Sequence, residues 1–570
     1  MKIYINNKKI KVREGQTIFE ACKENGIEIP TLCFHPDLKV KAYCRICVVQ
    51  IEGRKGLYAA CSTKTEEGMK ITTESEEISR ARKINLELIF SQHQEECYDC
   101  VWNSRCQLLE LAKKYEVEIN KFQDRKKRYP VYNFGPVQKP ILNFDSTKCI
   151  DCRNCVEICE KQGVGFLELQ ERGNFTEVFP SEKKEKDCVY CGQCITHCPA
   201  GSFEAEGEFE EIEKPFRENN GKLIIFQIAP SIRTSIGEEF GMEHGTAITD
   251  KLVAGIKKLG ADKVFDVSVG ADFTTIEEAK ELKEKLETGQ NMPMFTSCCP
   301  AWVKYVEFYY PEFMPNLTSA RSPQMMSAGL IKTYFSEKNN ISPENIFLVS
   351  VMPCISKKYE IQRPELEING AKLIDYVMTT RELARLFIKR KIDLNKIKPQ
   401  KADSPFASPS GAGVIYGASG GVMESVLRTA HKDITGKELK KIEFKEARGK
   451  AGIKGANIYM GNREVRIAVA SGLGNGKKIL ESLKKSPNLY DCIEVMACPG
   501  GCVGGGGQPL PTSAEIRKKR AEGLYKIDKK GKVRLAHKNP EVKEIYKNFL
   551  TNERIIREIC HTTYSKKEKK

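Results

Sequence analysis

Only 7 histidines and 2 tryptophans occur among the 570 residues. Any large metal inventory must therefore rest on thiolate, a donor that selects zinc, copper(I) or iron–sulfur clusters. No apolar run approaches the ~18 uninterrupted residues of a membrane span, so none is expected. The opening MKIYINNKKIKVREG has neither an apolar signal core nor a twin-arginine pair, which predicts a cytoplasmic product. No nucleic-acid-binding motif and no basic run interleaved with aromatics is present. The excess of 92 Lys+Arg over 76 Asp+Glu, a net charge of +16, is thus read as solvated surface able to attract an acidic protein, with no nucleic-acid partner. Gly472, Gly474 and Gly476 lack the G-x-G-x-x-G order of a dinucleotide loop and are read as a turn.

What the chain does have is 23 cysteines, about one residue in 25. Reducing compartments rarely hold disulfides and an odd number cannot pair completely, which points to metal ligation or catalysis. At about 150 residues per domain the length allows roughly four domains, and the cysteines fall in blocks that mark them. Residues 1–78 open with a hairpin, KIYINNKKIKV, and a helix, TIFEACKENG, stopped by Gly26, with Cys22 in the core. Cys33, Cys44, Cys47 and Cys61 follow on strand-like sequence; four thiolates on a β-rich lobe suit a [2Fe–2S] cluster or a zinc site. Residues 79–140 carry His93, Cys97, Cys100 and Cys106 between helical flanks, a zinc knuckle by ligand type but with the spacing H-x3-C-x2-C-x5-C, unusual for zinc.

Residues 141–208 contain a true internal repeat. Cys149, Cys152, Cys155 and Cys159 have the spacing x2, x2, x3, and so do Cys188, Cys191, Cys194 and Cys198. This is the bacterial two-cluster ferredoxin pattern, in which the fourth cysteine of each run ligates the other cluster. The sets are then Cys149, Cys152, Cys155 with Cys198, and Cys188, Cys191, Cys194 with Cys159. Electrons tunnel efficiently only over short distances, so four clusters in sequence make a wire, and a wire implies a redox centre at its end.

After a charged linker at about 206–221, strand–helix alternation over 221–510 predicts α/β lobes with parallel sheets. Three motifs each follow a strand: Thr296-Ser-Cys298-Cys299-Pro, Met352-Pro-Cys354-Ile-Ser-Lys357-Lys358-Tyr-Glu360, and Met496-Ala-Cys498-Pro-Gly-Gly-Cys502 with four further glycines. Strand ends are where open α/β sheets bind ligands, and glycine lets backbone approach a bulky inorganic group. The segment TIEEAKELKEKLETG is helical to near Gly289 and sets Glu278 and Glu281 on one face. Cys492 and Cys560 lack partners at ligand spacing and are read as structural thiols.

Together, and in order along the chain, these motifs resemble the [FeFe] hydrogenases, whose accessory cluster segments are also found in respiratory NADH dehydrogenases. The resemblance implies a multidomain α+β and α/β architecture: a β-grasp [2Fe–2S] ferredoxin-like domain, a small helical [4Fe–4S] domain with one histidine and three cysteine ligands, a two-[4Fe–4S] ferredoxin-like domain, and a two-lobed catalytic domain. Residues 511–570 resemble the family's small subunit. The implied cofactors are one [2Fe–2S], three accessory [4Fe–4S] clusters, and an H-cluster, a [4Fe–4S] unit joined to two irons carrying CO, cyanide and an azadithiolate amine. Cys299, Cys354, Cys498 and Cys502 would hold its cubane, with Cys502 bridging to the two-iron unit. Lys357 would bind a cyanide, and Pro230, Ser231, Pro323, Gln324, Met352 and Met496 would line the cavity.

The implied activity is reversible H2 oxidation and proton reduction by heterolytic cleavage. Cys298 would hold no metal and would pass protons toward Glu281, Thr318 (where the family usually has Ser) and Glu278. Tyr416 stands where the family often has Phe. The implied partners are a ferredoxin or similar acidic carrier, and maturation proteins that insert the two-iron unit. Rival readings are a sensory H2-binding relative, against which an intact Cys298 counts, and a subunit of an NADH-linked electron-bifurcating complex.

Overall fold

The computed structural model describes residues 1–570 except 94–96, 98–99, 103–104, 123–130, 137–139, 171–176, 206–208, 219–220, 440–442, 445–447, 449–451 and 570. The hairpin joins strands Lys2–Ile5 and Lys8–Lys11 through Asn6 and Asn7, both left-handed at φ 49° and 64°. That is the mirror-image turn that matches strand twist. Helix Ile18–Glu24 starts at a capping box of Thr17 and Glu20 and is followed by Gly26 at φ 69°. Cys22 lies in the core beneath the sheet with Ile3, Ile5 and Ile71. Helix Glu76–Phe90 then carries Arg82, fully buried, whose guanidinium donates to the Val48 and Thr73 carbonyls and the Tyr115 hydroxyl. That arginine ties the first lobe to the helical segment after it.

The cysteine repeat is a structural repeat as well. Helices Asn154–Lys161 and Gln193–His197 each begin after a left-handed residue, Arg153 at φ 59° and Gly192 at φ 69°. The supposed linker is largely helix: Phe209–Glu218 packs Ile212 and Phe216 onto the next core, and Glu213 pairs with Lys389 and Arg390. Its charges alternate with apolar residues at helical spacing, the signal that charge density masked. Positions 206–208 and 219–220 of that stretch lie outside the described residues.

Two four-stranded sheets form the lobes that follow. In the first, Lys263–Asp266, Leu223–Ile228, Ile346–Met352 and Tyr376–Thr379 lie side by side, all parallel. In the second, Met294–Phe295, Cys492–Met496 and Arg463–Ser471 are parallel, but the edge strand Gly452–Met460 runs antiparallel. A tight turn through Gly461 at φ 64° leaves no room for a crossover, so the all-parallel expectation fails at this edge. Gly472 alone is a turn residue. Gly474 and Gly476 sit inside helix Leu473–Lys485, where a Cβ would meet the Lys161 carbonyl at 2.0 Å and Val495 at 2.8 Å. These glycines dock the helix on the cluster repeat and on its own sheet.

Between the sheets runs helix Val267–Thr288, begun by the Asp266 cap well before the periodic segment recognised in sequence. VSVGADF reads ambiguously because it is buried on all sides. Gly270 within it allows close packing on helix Pro323–Leu330: a Cβ would lie 2.4 Å from the Pro323 carbonyl. Helices Ala514–Lys530, Pro540–Asn548 and Glu553–Cys560 wrap the outside, anchored by buried Arg520 pairing with Glu238 at 2.6 and 2.7 Å. No helix among the described residues is long and apolar enough to cross a membrane.

Gly270→Ala should therefore destabilise by overpacking, about 1–3 kcal/mol, and lower the thermal midpoint. Gly289→Ala, with nothing within 4 Å but φ at 71°, should cost only about 1 kcal/mol. Equal losses in melting experiments would contradict the close helix contact.

Candidate active site

All three motif cysteine groups arrive at one cavity from the C-terminal ends of Met294–Phe295, Ile346–Met352 and Cys492–Met496. Cys299, Cys354, Cys498 and Cys502 line it, and so does Cys298. The remaining wall includes Pro230, Ser231, Pro323, Gln324, Met352 and Met496. The cavity has a volume of about 70 Å³, against roughly 10–15 Å³ for one water, so it suits a multi-atom group. Its glycine rim is forced: Gly501, at φ 90°, would bring a Cβ within 2.5 Å of the Ser419 amide.

Burial and mutual repulsion push the Cys354 thiol up to about 11, and Cys299, Cys498 and Cys502 are also pushed up, chiefly by burial. Four buried sulfurs this close resist becoming thiolates unless a metal neutralises them. Ser231 Oγ and Gln324 Oε1 are buried, line the cavity and make no hydrogen bond within the protein. Lys357 Nζ donates to Glu360 at 2.8 Å, Ser322 at 2.9 Å and the Cys298 carbonyl at 3.2 Å. Burial opposes its charge, but Glu360 and the neighbouring thiols overcome this and hold it upward, as a cation. Sulfur donors, a buried cation and unsatisfied polar atoms fit an iron–sulfur core bearing anionic ligands.

Behind Cys298 the long helix presents Glu278, fully buried, with Oε2 unpartnered. Burial pushes its carboxyl up to about 8, against hydrogen bonds from Thr318 and the Ser297 amide. Thr318 Oγ1 donates to Glu278 at 3.1 Å and meets Ser297 Oγ at 2.9 Å. Glu278 is the titratable neighbour that bears most on the Cys298 thiol, itself pushed up chiefly by burial. Glu281 lies outward, accepting from the Ser319 amide at 2.9 Å and hydroxyl at 3.1 Å. The order read from sequence, Glu281 before Thr318 and Glu278, is thus reversed: one helical turn separates a buried inner carboxyl from a half-buried outer one. Tyr416 lines the cavity, but its hydroxyl turns away to Thr275 at 2.8 Å.

The accessory ligands gather as well. The free thiols of Cys33 and Cys44 lie within hydrogen-bonding reach of each other, as do those of Cys47 and Cys61, and Cys33 lies close enough to Cys47 and Cys61 to influence both. His93 Nδ1 meets the Lys148 carbonyl at 2.9 Å. A carbonyl only accepts, so Nδ1 carries the proton and Nε2 keeps the lone pair, as a metal ligand requires. Cys106 is influenced by Cys97, and Cys100 by Cys106. In the repeat, Cys149, Cys152 and Cys155 feel Cys198, while Cys191 and Cys194 feel Cys188 and Cys159, the crossed sets.

These sites form a fork and not the single file expected from their order in sequence. Cys33 bears on Cys152, so the first lobe abuts the Cys149 set. Gly201 packs so tightly that a Cβ would lie 2.6 Å from Cys100 Sγ, and Trp102 Nε1 donates to the Cys198 carbonyl. The His93 site therefore abuts the same set. On the far side Cys191 bears on Cys354 and Cys498, and Gly192 and Gly506 touch backbone to backbone, a Cβ at Gly506 falling 2.7 Å from the Gly192 Cα. His35, Asp37 and His197 also cluster between the lobes, but Arg517 pairs with Asp37 at 2.8 Å and occupies the cation's place.

Sequence reasoning quoted Glu360 and Ser297 within the motifs but gave them no role, and it missed Ser322 and Ser319. Glu360 lay three residues from Lys357 on one helical face, a usable signal; single serines far from their partners offered none.

Known families match in the same order. Residues 1–76 match a 2Fe-2S iron-sulfur cluster binding domain, 82–121 the NADH-ubiquinone oxidoreductase-G iron-sulfur binding region, and 148–202 a 4Fe-4S dicluster domain. Residues 222–506 match the iron only hydrogenase large subunit, C-terminal domain, and 514–567 the iron hydrogenase small subunit. The chain is 38% identical to the NADP-reducing hydrogenase subunit HndD of Solidesulfovibrio fructosivorans, over 100% of this chain and 99% of that one. It is 37% identical to iron hydrogenase 1 of Clostridium pasteurianum, over 99% and 100%. A solved structure of a single-residue variant of [FeFe]-hydrogenase HydA1 from Chlamydomonas reinhardtii superposes with TM-score 0.56 at 37% identity, covering 63% of this chain and 97% of that one. With this likeness running from end to end, and the thiol-lined cavity where the family places its chemistry, the chain belongs to the [FeFe] hydrogenases.

Proposed function

We propose that the chain interconverts H2 with protons and electrons at an H-cluster held by Cys299, Cys354, Cys498 and Cys502, and that Cys298, Glu278, Thr318 and Glu281 carry the protons. The observation that supports this best is the meeting of five cysteine thiols and a buried cation in one cavity, with a protonatable carboxyl directly behind. When bound, the two-iron unit supplies the heterolytic cleavage of H2. Lys357 would place its positive charge beside the group's anionic ligands, while Ser231 and the methionines line the wall. Cys298 Sγ exchanges a proton with the cofactor side. Glu278, holding its proton near neutral pH, exchanges with Cys298 and with the Thr318 hydroxyl, and Glu281 exchanges farther out. One [2Fe–2S] and three accessory [4Fe–4S] clusters carry the electrons along the fork.

A ferredoxin-like acidic carrier is the proposed partner, drawn by the net charge of +16 through a salt-sensitive association. The relation to HndD, a subunit of an NADP-reducing hydrogenase, favours a second reading in which a partner subunit takes the electrons. Reduction of a purified acidic ferredoxin by the isolated chain under H2 separates the two.

Cys298→Ser and Glu278→Gln should each lower turnover by about 10²–10⁴-fold, the range for a lost acid–base group, while infrared bands of the two-iron unit persist. Full turnover in either variant would sink the relay. Glu278 also has a stability signature: its proton is bound in the folded chain up to about 8 and in the unfolded chain only to about 4.5. Stability therefore falls as pH rises through that window. Glu278→Gln removes this slope, so its thermal midpoint should gain on the parent's between about pH 5 and pH 9. A parallel pair of curves would contradict the raised carboxyl. His93→Ala should remove one accessory cluster from the paramagnetic resonance spectrum yet leave H2-dependent dye reduction largely intact, because the other prong still reaches the shared cluster. Complete loss of conduction would contradict the fork.

A further inference from the structure

The proton route proposed above ends at Glu281, which is only partly open to water: its side chain is 16% exposed and paired with Lys285 at 3.1 Å, a lysine only 10% exposed. The C-terminal segment lies across this point. Ala320 pairs with His561 as an isolated bridge, Arg321 donates through its amide to the Cys560 carbonyl at 2.7 Å, and Thr562 does so to the Ser319 carbonyl at 2.8 Å. Tyr564 closes the inner side by donating to the Thr318 carbonyl at 2.6 Å. The segment thus covers the residues of the route and brings one imidazole to its outer end.

The Ser319 hydroxyl joins Glu281 Oε2 at 3.1 Å to His561 Nδ1 at 2.9 Å. The other ring nitrogen, Nε2, faces Glu277 at 3.3 Å. Burial favours the neutral form of Glu277, but bonds from His561, Lys280 and Tyr546 overcome it and hold the carboxyl down at about 2. An ionised carboxylate only accepts, so Nε2 carries a proton, and Nδ1 faces the Ser319 hydroxyl, whose single proton can turn to Glu281 or to the ring. From Glu278 through Glu281 to His561 the side chains open steadily outward, from fully buried to 16% and then 22% exposed.

We propose that His561 is the outer proton-exchange group of this hydrogenase, supplied by the C-terminal segment; this rests on the relay reading of Cys298 and Glu278. In the outward direction a proton on Glu281 Oε2 passes to Ser319 Oγ as the serine's own proton passes to His561 Nδ1. One O–H bond breaks and one N–H bond forms, with no change of redox state. The imidazolium then yields its Nδ1 proton to water, which leaves the Nε2–H form that the Glu277 carboxylate accepts from, with Glu281 ionised and Ser319 keeping a hydroxyl proton. Inward transfer is the reverse. The charged and titratable groups facing the ring are Glu277, Lys280 and Glu281 from the long helix, Arg321, which donates to the His561 carbonyl at 2.9 Å, and, through Glu277, Tyr546.

The test uses the matured full chain in dilute, weakly coordinating buffer. His561→Ala should slow turnover by at least about tenfold, less than the roughly 10²–10⁴ of a buried acid–base group, with the infrared bands of the two-iron unit unchanged. Added imidazole should restore the rate in His561→Ala but not in Glu278→Gln. An unchanged rate at every buffer concentration, or a loss that imidazole leaves untouched, overturns the proposal. Independently of activity, nitrogen-15 spectra of the full chain should show neutral His561 protonated at Nε2, and Ser319→Ala should shift the Nδ1 resonance; an Nδ1-protonated ring overturns it. Should Cys298→Ser and Glu278→Gln keep full turnover, the relay itself fails; if they lose it while His561→Ala does not, only the exit group fails.

Discussion

Placing four cysteine sulfurs in one buried cavity is the constraint around which this molecule is arranged. Each thiol is raised by burial, and Cys354, Cys498 and Cys502 also by neighbouring thiols, so the protein alone holds them as reluctant donors, and only a strongly bound inorganic cation makes the thiolate set stable. Three separate strand ends must then be fixed against one another. That fixing comes from two sheets, from a long central helix that packs closely because position 270 is glycine, and from buried ion pairs such as Arg520 with Glu238 that hold the outer helices down.

The same burial governs the groups beside the cavity. Lys357 remains charged because Glu360 lies beside it, whereas Glu278 has no cationic partner among its influences and retains its proton. A cation and a neutral acid thus stand on two sides of one thiol, produced by opposite pairing of two equally buried residues. A difference of environment, and not of residue type, separates holding an anion from handing over a proton.

Much of this was legible in the sequence, because metal ligands obey local spacing. The repeated C-x2-C-x2-C-x3-C runs, the cysteines after apolar strands and the hairpin at the start are short-range patterns, and the structure brings their members together. What escaped reading was long-range or ambiguous. The fork needs Cys33 near Cys152 and Cys100 near Gly201, separations that no spacing reveals. The order of Glu278 and Glu281 depends on which way the helix runs relative to the cavity. His561 lies far along the chain from Ser319, with nothing nearby to mark it. The segment VSVGADF hid its helical character because every face of it is buried, and the edge strand Gly452–Met460 became antiparallel through a turn too short to signal a change of direction.

Gly192 and Gly506 meet with bare backbone on both sides, so no side chain cushions the joint between the cluster repeat and the catalytic lobes. A joint of that kind has no slack: adding even one methyl group would hold the two modules apart, and electron transfer weakens exponentially with added distance. The two modules are therefore not interchangeable building blocks. A foreign cluster module grafted here would need the same bare patch in the same register, or its current would fall even with every cluster intact.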